Sequence, residues 1–192
     1  MGKRVDSVEE TRRRIVTATF DVHDEKGIAD TTFRDIAERA DVSLATVYRH
    51  FPTYDMVVEA CGEFSRSMLP RLNPALFVSV NDLRARLRIL TDAIGERLEL
   101  LGDWEWIRND ARKIAPIRRF ITEYHDETST FARAALGEYG DDETVAVVVA
   151  LIDAAVFRIL NECGQPPAEV LTDVLGAWLE QRQPVIPKEG DS

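Results

Sequence analysis

The sequence holds little that would serve chemistry. Among its 192 residues there are two cysteines, Cys61 and Cys163, and three histidines. Both cysteines sit in helical apolar patterns, so they read as small reduced core residues rather than a disulfide. His23, His50 and His125 follow no metal-ligand spacing, and no metal is expected. There is no Gly-rich phosphate loop, no nucleophile elbow and no Cys-x-x-Cys, so no cofactor, no catalytic residue and no enzyme is expected. A signal peptide and an apolar run long enough for a bilayer are both missing, which points to a cytoplasmic protein with no membrane partner. No internal repeat or low-complexity block is visible. Positive charge is also scarce: 24 Lys and Arg stand against 34 Asp and Glu, a formal net charge of −10.

That balance taken whole argues against a nucleic-acid partner, but it is unevenly spread. Residues 1–51 carry 9 basic and 10 acidic side chains, and the remainder carries 15 and 24. Lys3, Arg4, Arg12, Arg13 and Arg14 crowd the front. Affinity for phosphate follows local cations rather than overall sign. Hydrophobic residues make up 45% of the chain, enough for a sizeable core.

One stretch, Thr32 to Asp55, organises the rest. Phe33, Ile36, Ala37 and Ala40 recur at the period of one helix face. Asp41 follows where the chain must turn sharply, and aspartate tolerates a left-handed backbone better than most residues. Val42 plugs the corner, and Ser43 stands where an N-cap is wanted. In the next helix, Leu44 to Phe51, only Val47 and Phe51 look inward. Thr46, Tyr48, Arg49 and His50 are left exposed, a composition suited to a major groove.

The run from Thr31 to Ala37, then Ala40 to Ser43, then Thr46 to Thr53 resembles the helix-turn-helix of the TetR (tetracycline repressor) family. The likeness covers roughly residues 10 to 60; beyond that it is one of length, helicity and order of parts. The resemblance implies that Leu44 and Ala45 face base edges. It implies that Thr46 donates to a base or a phosphate, and that Tyr48 and His50 bind phosphate. Arg49 adds charge toward a base or toward the backbone. Thr32 and Arg34 clamp phosphates, although Thr32 also fits a plain N-cap. Ser43, Thr53 and Tyr54 complete the expected DNA-contacting set. Two positions depart from the family: His23 stands where an apolar aromatic is usual, and Tyr54 where a Lys is common, so Tyr54 brings no charge.

The remaining chain reads as helix throughout. Residues 1–8 form a polar arm, and a helix runs from about Glu9 to Lys26 on Ile15, Ala18, Thr19 and Val22. Another starts after Thr53, carries Val57, Ala60, Cys61, Phe64 and Met68, and ends at Pro70. It leads away from the recognition helix and reads as a lever. The segment from Pro70 to Asn81 is irregular. Further helices are expected over about Asp82–Leu101, Trp104–Lys113, Ile117–Glu138, Asp141–Cys163 and Ala168–Arg182, with a polar tail from Pro184. The helix from Asp141 to Cys163 is apolar on nearly every side. Its own domain on one side and a second copy on the other would cover it, and the resemblance likewise implies a dimer through the last two helices. A central buried helix in a monomer fits the same pattern.

The expected architecture is therefore all-α. A helix-turn-helix DNA-binding domain spans 1–54, a helical effector-binding and dimerisation domain 55–183, and a tail 184–192. The expected function is that of a homodimeric repressor on a palindromic double-stranded operator, released by a small-molecule effector of unknown identity. Candidate effector contacts are Trp104, Trp106, Ile107, Phe120, Tyr124, Phe131, Phe157 and Asn161, most of which also fit plain core packing. A DNA-binding or architectural protein of the same fold with no effector is the alternative. An enzyme built on a helical bundle would need convergent ionisable groups, and no such set stands out.

Overall fold

The computed structural model describes residues 2–102 and 104–182, with side chains for 7–102 and 107–182. The tail from 184, Asp103, and the side chains of Lys3, Arg4, Trp104 and Trp106 lie outside the described residues. Within them every regular element is helical, as the sequence led us to expect. The order is α1 (Gly2–Lys26), α2 (Phe33–Arg39), α3 (Leu44–His50), α4 (Tyr54–Met68), α5 (Leu83–Leu101), α6 (Trp104–Asp110), α7 (Ala115–Leu136), α8 (Asp142–Leu151), α9 (Ala154–Glu162) and α10 (Pro167–Leu179). No helix among the described residues is long and apolar enough to cross a membrane.

The chain divides into two compact units. One is Met1–Leu69 with Leu101–Thr122, the other Pro70–Leu100 with Glu123–Ser192. The first unit closes around Ile15, Ile36, Val47, Phe51 and Val57, all fully buried. Here the periodic stripes read from α1, α2 and α4 meet. Thr19 is buried on the α1 stripe without penalty, because its hydroxyl donates to the Ile15 carbonyl at 2.8 Å. A second patch joins Val58 of α4 to Ala111, Ile114 and Ile117. Beside it the Asp110 carboxylate accepts from the Ala29 amide at 2.8 Å.

Helix α1 begins at Gly2, not at Glu9, so the expected polar arm is helical. Residues 3–14 contain neither Pro nor Gly, and the Arg13–Glu10 pair at 2.7 Å supports the first turns.

The second unit has its own core. Leu87, Leu90 and Ile94 of α5 meet Phe131, Ala132 and Ala135 of α7, Val148 of α8, and Leu171, Leu175 and Leu179 of α10. Burying a ring such as Phe131 is worth about 2–3 kcal/mol. Phe77 sits in a 3-10 turn over Pro74–Phe77 inside the segment expected to be irregular. Its ring is buried 4.8 Å from that of Phe131.

The single helix expected over Asp141–Cys163 is corrected to two. Helix α8 stops at Leu151 and α9 starts at Ala154. Asp153 is the reason: its carboxylate accepts from the Ala155 amide at 3.0 Å and caps a new helix instead of continuing the old one.

Gly95 of α5 lies against Phe157 of α9; a Cβ there would stand 2.9 Å from the ring edge. Phe157 is buried. Gly95→Ala gains about 1 kcal/mol of helix propensity and meets an overpacking penalty of about 1–3 kcal/mol. Urea unfolding is expected to show net destabilisation; a stabilised variant would mean the ring yields freely.

Candidate nucleic-acid interface

Helix α3 is seven residues long and is held almost wholly by what surrounds it. Val47 and Phe51 are fully buried, and the Arg12 guanidinium covers the Phe51 ring at 4.4 Å from its centroid. Ser43 caps the helix, its hydroxyl accepting from the Thr46 amide at 3.1 Å. The turn before it places Asp41 at φ 51°, the left-handed conformation anticipated there. Arg14 fixes that turn by donating to the carbonyls of Ala40 and Asp41, at 3.1 and 3.2 Å.

Helix α2 is fastened just as firmly. Thr32 and Asp35 form a reciprocal capping box, and Lys26 pairs with Asp35 at 2.6 Å. That ammonium and the Thr32 donors hold the Asp35 carboxyl far below the usual carboxylate range. Arg39 reaches back to Glu25 of α1 at 2.6 Å. The hydroxyl of Thr32 is thus spent on capping, which favours that plain reading over a phosphate clamp.

With these anchors in place, Arg34, Ser43, Leu44, Ala45, Tyr48, Arg49 and Thr53 are exposed, and Thr46 and His50 are half-buried. Tyr48 keeps 49% of its surface in solvent, with one ring edge against Phe33 at 4.8 Å. Partial burial, followed by the nearby Arg49 and Arg12 charges, lowers the His50 pKa. Thr53 caps α4 through the Met56 amide.

Tyr54 differs from the rest of its set. It is half-buried, and its hydroxyl donates to the Ile28 carbonyl while lying 3.1 Å from His23 Nε2. Burial pushes its phenol above the ordinary range. Its one proton is committed inward, so it has none to offer phosphate. His23, the other departure, is buried between Tyr54 and Cys61, whose sulfur lies 3.6 Å from Nδ1. The two unusual residues are partners in one contact. Proximity across thirty residues is not visible in a linear pattern, so the sequence singled out each without linking them.

The candidate effector contacts are distributed between the units. Ile107 is half-buried beside Val58, Ala111, Ile114 and Ile117 in the first. Phe120, also half-buried, lies under Arg66. In the second, Tyr124, Phe131 and Phe157 are buried, and Asn161 is exposed on α9. Phe131 and Phe157 are part of that unit's core.

Arg97 of α5 was not among the candidates. Its side chain is only 2% exposed, pairs with Glu127 at 2.9 Å and sits 5.0 Å above the Tyr124 ring. A buried arginine is uncommon and demands compensation. The signal was present: a charge three residues after Ile94, on the apolar face of its helix.

Fold and surface together define an all-α protein with an N-terminal helix-turn-helix. Residues 15–61 match the family model of bacterial regulatory proteins, tetR family. The HTH-type transcriptional repressor KstR of Mycobacterium tuberculosis is 40% identical over 63 residues, 32% of this chain and 29% of that one. The chain therefore matches less than a third of that relative's length. An uncharacterized HTH-type transcriptional regulator of the same species is 28% identical over 156 residues, 75% of this chain and 77% of its own. Among solved structures, the multidrug binding protein EbrR complexed with imidazole superposes with a TM-score of 0.62 at 25% identity, covering 95% and 93% of the two chains. A transcriptional regulator from Rhodococcus sp. Rha1 gives 0.69 at 21% identity over 91% and 98%, a likeness of fold. Residues 15–61 thus carry the helix-turn-helix of the TetR family, and the proteins this chain is similar to are transcriptional regulators.

His23 carries a pH signature. Burial lowers its pKa from 6.5 to about 4. Above pH 6.5 neither folded nor unfolded His23 is charged, and stability does not depend on it. Between 6.5 and about 4 the unfolded chain takes up a proton that the folded one refuses, so stability falls, by about 3 kcal/mol in total. Urea titrations at pH 7.5 and 5.0 are expected to show a steeper acid loss in the wild type than in His23→Phe. Equal losses would contradict the buried neutral imidazole.

Proposed function

We propose that the protein is a homodimeric repressor that reads a palindromic operator with α3 and is released by a small molecule. The observation that carries the DNA half is the exposed row of Leu44, Ala45, Tyr48 and Arg49 on a helix whose inward contacts are Val47 and Phe51. A short helix with so narrow a buried stripe keeps the rest of its surface for a groove. Leu44 and Ala45 lie in its first turn, where base edges are met, and suit thymine methyls. Arg49 and His50 fall in its last turn, and Arg34 opens α2; these suit phosphate. We leave Tyr54 out of the contacting set.

The dimer half rests on the C-terminal helices. Ile159 of α9 and Val174 of α10 are each about half exposed, at 51% and 50%. Two such helices from each of two copies would bring the recognition helices roughly 34 Å apart, one turn of DNA. The functional division at residue 54 belongs to this proposal. The effector half is supported by the neighbour EbrR, a multidrug binding protein solved with imidazole and with ethidium. In this chain the buried Arg97, beside Tyr124 and paired with the exposed Glu127, supplies a charged group inside the second unit. A ligand acts only through unequal affinity for the DNA-competent and incompetent forms. We place the protein in the cytoplasm, where its operator would lie.

Footprinting of the protein on its own upstream DNA tests the reading: a protected palindrome is expected, lost when the effector is added. No protection anywhere sinks the DNA half, and protection that no metabolite relieves sinks the effector half. Arg49→Ala is expected to weaken the operator and an unrelated duplex alike and to lower the salt slope by about one. A loss confined to the operator would instead make Arg49 a base reader. Val174→Asp is expected to yield a monomer by sedimentation that no longer binds the palindrome; a variant that stays dimeric would place the interface elsewhere.

A further inference from the structure

We infer that Tyr54 and Phe33 are positioning residues that aim Tyr48 at DNA, through a chain of contacts beginning at His23. The inference rests on the DNA-binding reading and adds residues that touch no DNA themselves.

The hydrogen bonds have a determined direction. Tyr54 has one proton, and it goes to the Ile28 carbonyl. The Tyr54 oxygen can then only accept from His23, so Nε2 carries the imidazole proton. Nδ1 is left bare and accepts from the Cys61 thiol. The set ties α1, the loop at Ile28 and two turns of α4 together.

The fixed ring of Tyr54 then meets Phe33 edge-on, with centroids 5.9 Å apart. Phe33 meets Tyr48 in the same manner at 4.8 Å. Edge-to-face contacts of this kind have a preferred geometry, so each ring limits the next. Tyr48 is half in solvent and leans on Phe33 along one edge. A tyrosine on an exposed helix face would otherwise exchange rotamers freely and have to be ordered on binding. The series ends on the one aromatic that α3 presents outward.

A double-mutant cycle on the full-length protein tests this, with DNA selected by the wild type from a random duplex library as the probe. Tyr54→Phe keeps the ring and removes the hydroxyl. It is expected to weaken binding about five-fold when Tyr48 is present and less than about two-fold when Tyr48 is already alanine. Phe33→Leu is expected to show the same dependence on Tyr48, which guards against a local folding defect in Tyr54→Phe. Losses that multiply independently in both cycles overturn the inference, as does a Tyr48→Ala variant that binds like the wild type. A wild type that selects no DNA sequence and retains no duplex overturns the DNA-binding reading itself, a separate result.

Discussion

A helix of seven residues has no stability of its own, since nucleation is unfavourable and isolated helices of that length are marginal in water. Its place is set by burial of Val47 and Phe51 at one edge and by the turn at Asp41 at its entrance. Both depend on α1. Arg12 covers the Phe51 ring and Arg14 holds the carbonyls of the turn. The basic cluster that looks at first like a DNA-binding surface is thus partly a scaffold. Of the three consecutive arginines, Arg13 pairs with Glu10. In the proposed recognition surface the charge would come instead from Arg34 and Arg49, both exposed.

This division reconciles a strongly acidic chain with a DNA partner. At physiological salt the Debye length is about 8 Å, so carboxylates elsewhere would contribute little where α3, in the proposed reading, meets phosphate. Two of the acids close to the helix-turn-helix are engaged. Asp35 is held by Lys26 and Thr32, and Glu25 by Arg39. Engaged carboxylates repel an incoming phosphate less than free ones would. The expected consequence is a modest number of released counterions per subunit, with more weight on apolar and hydroxyl contacts.

The helix-turn-helix was legible because its signals are local. The stripe of Ile36, Ala37 and Ala40, the left-handed Asp41 and the Ser43 cap each follow from a few adjacent residues, and all three were found in place. Signals that need a partner far along the chain were not. Asp153 stands inside an apolar run, and periodicity alone does not say that it caps a new helix. Phe77 lay in a proline-bounded segment with no period, yet it is core because Phe131 offers it a ring. Arg97 lies on the apolar face of α5, and its compensation comes from Glu127, thirty residues away. The effector contacts were the least legible, for a physical reason. An aromatic that lines a site and one that fills a core have the same type and spacing, and only packing separates them.

The loop at Ile28–Ala29 gains importance from this view. It receives two hydrogen bonds from opposite directions in sequence: the Ile28 carbonyl accepts from Tyr54 of α4, and the Ala29 amide donates to Asp110 at the end of α6. Neither bond carries information by itself, and spatial continuity from α6 to Tyr48 is not coupling until two arrangements of some element exist. The geometry does restrict where such an element could act. Any ligand-dependent displacement of α6 that keeps the Asp110 bond must move the Ala29 backbone. The adjacent carbonyl accepts from Tyr54, so that phenol must follow or give up this bond. Losing it is costly, so following is the favoured outcome, and the rings of Phe33 and Tyr48 would turn with it. A loop of two residues, anchored on both faces, is therefore one route, beside the apolar patch at Val58, by which a displacement of α6 would reach Tyr54.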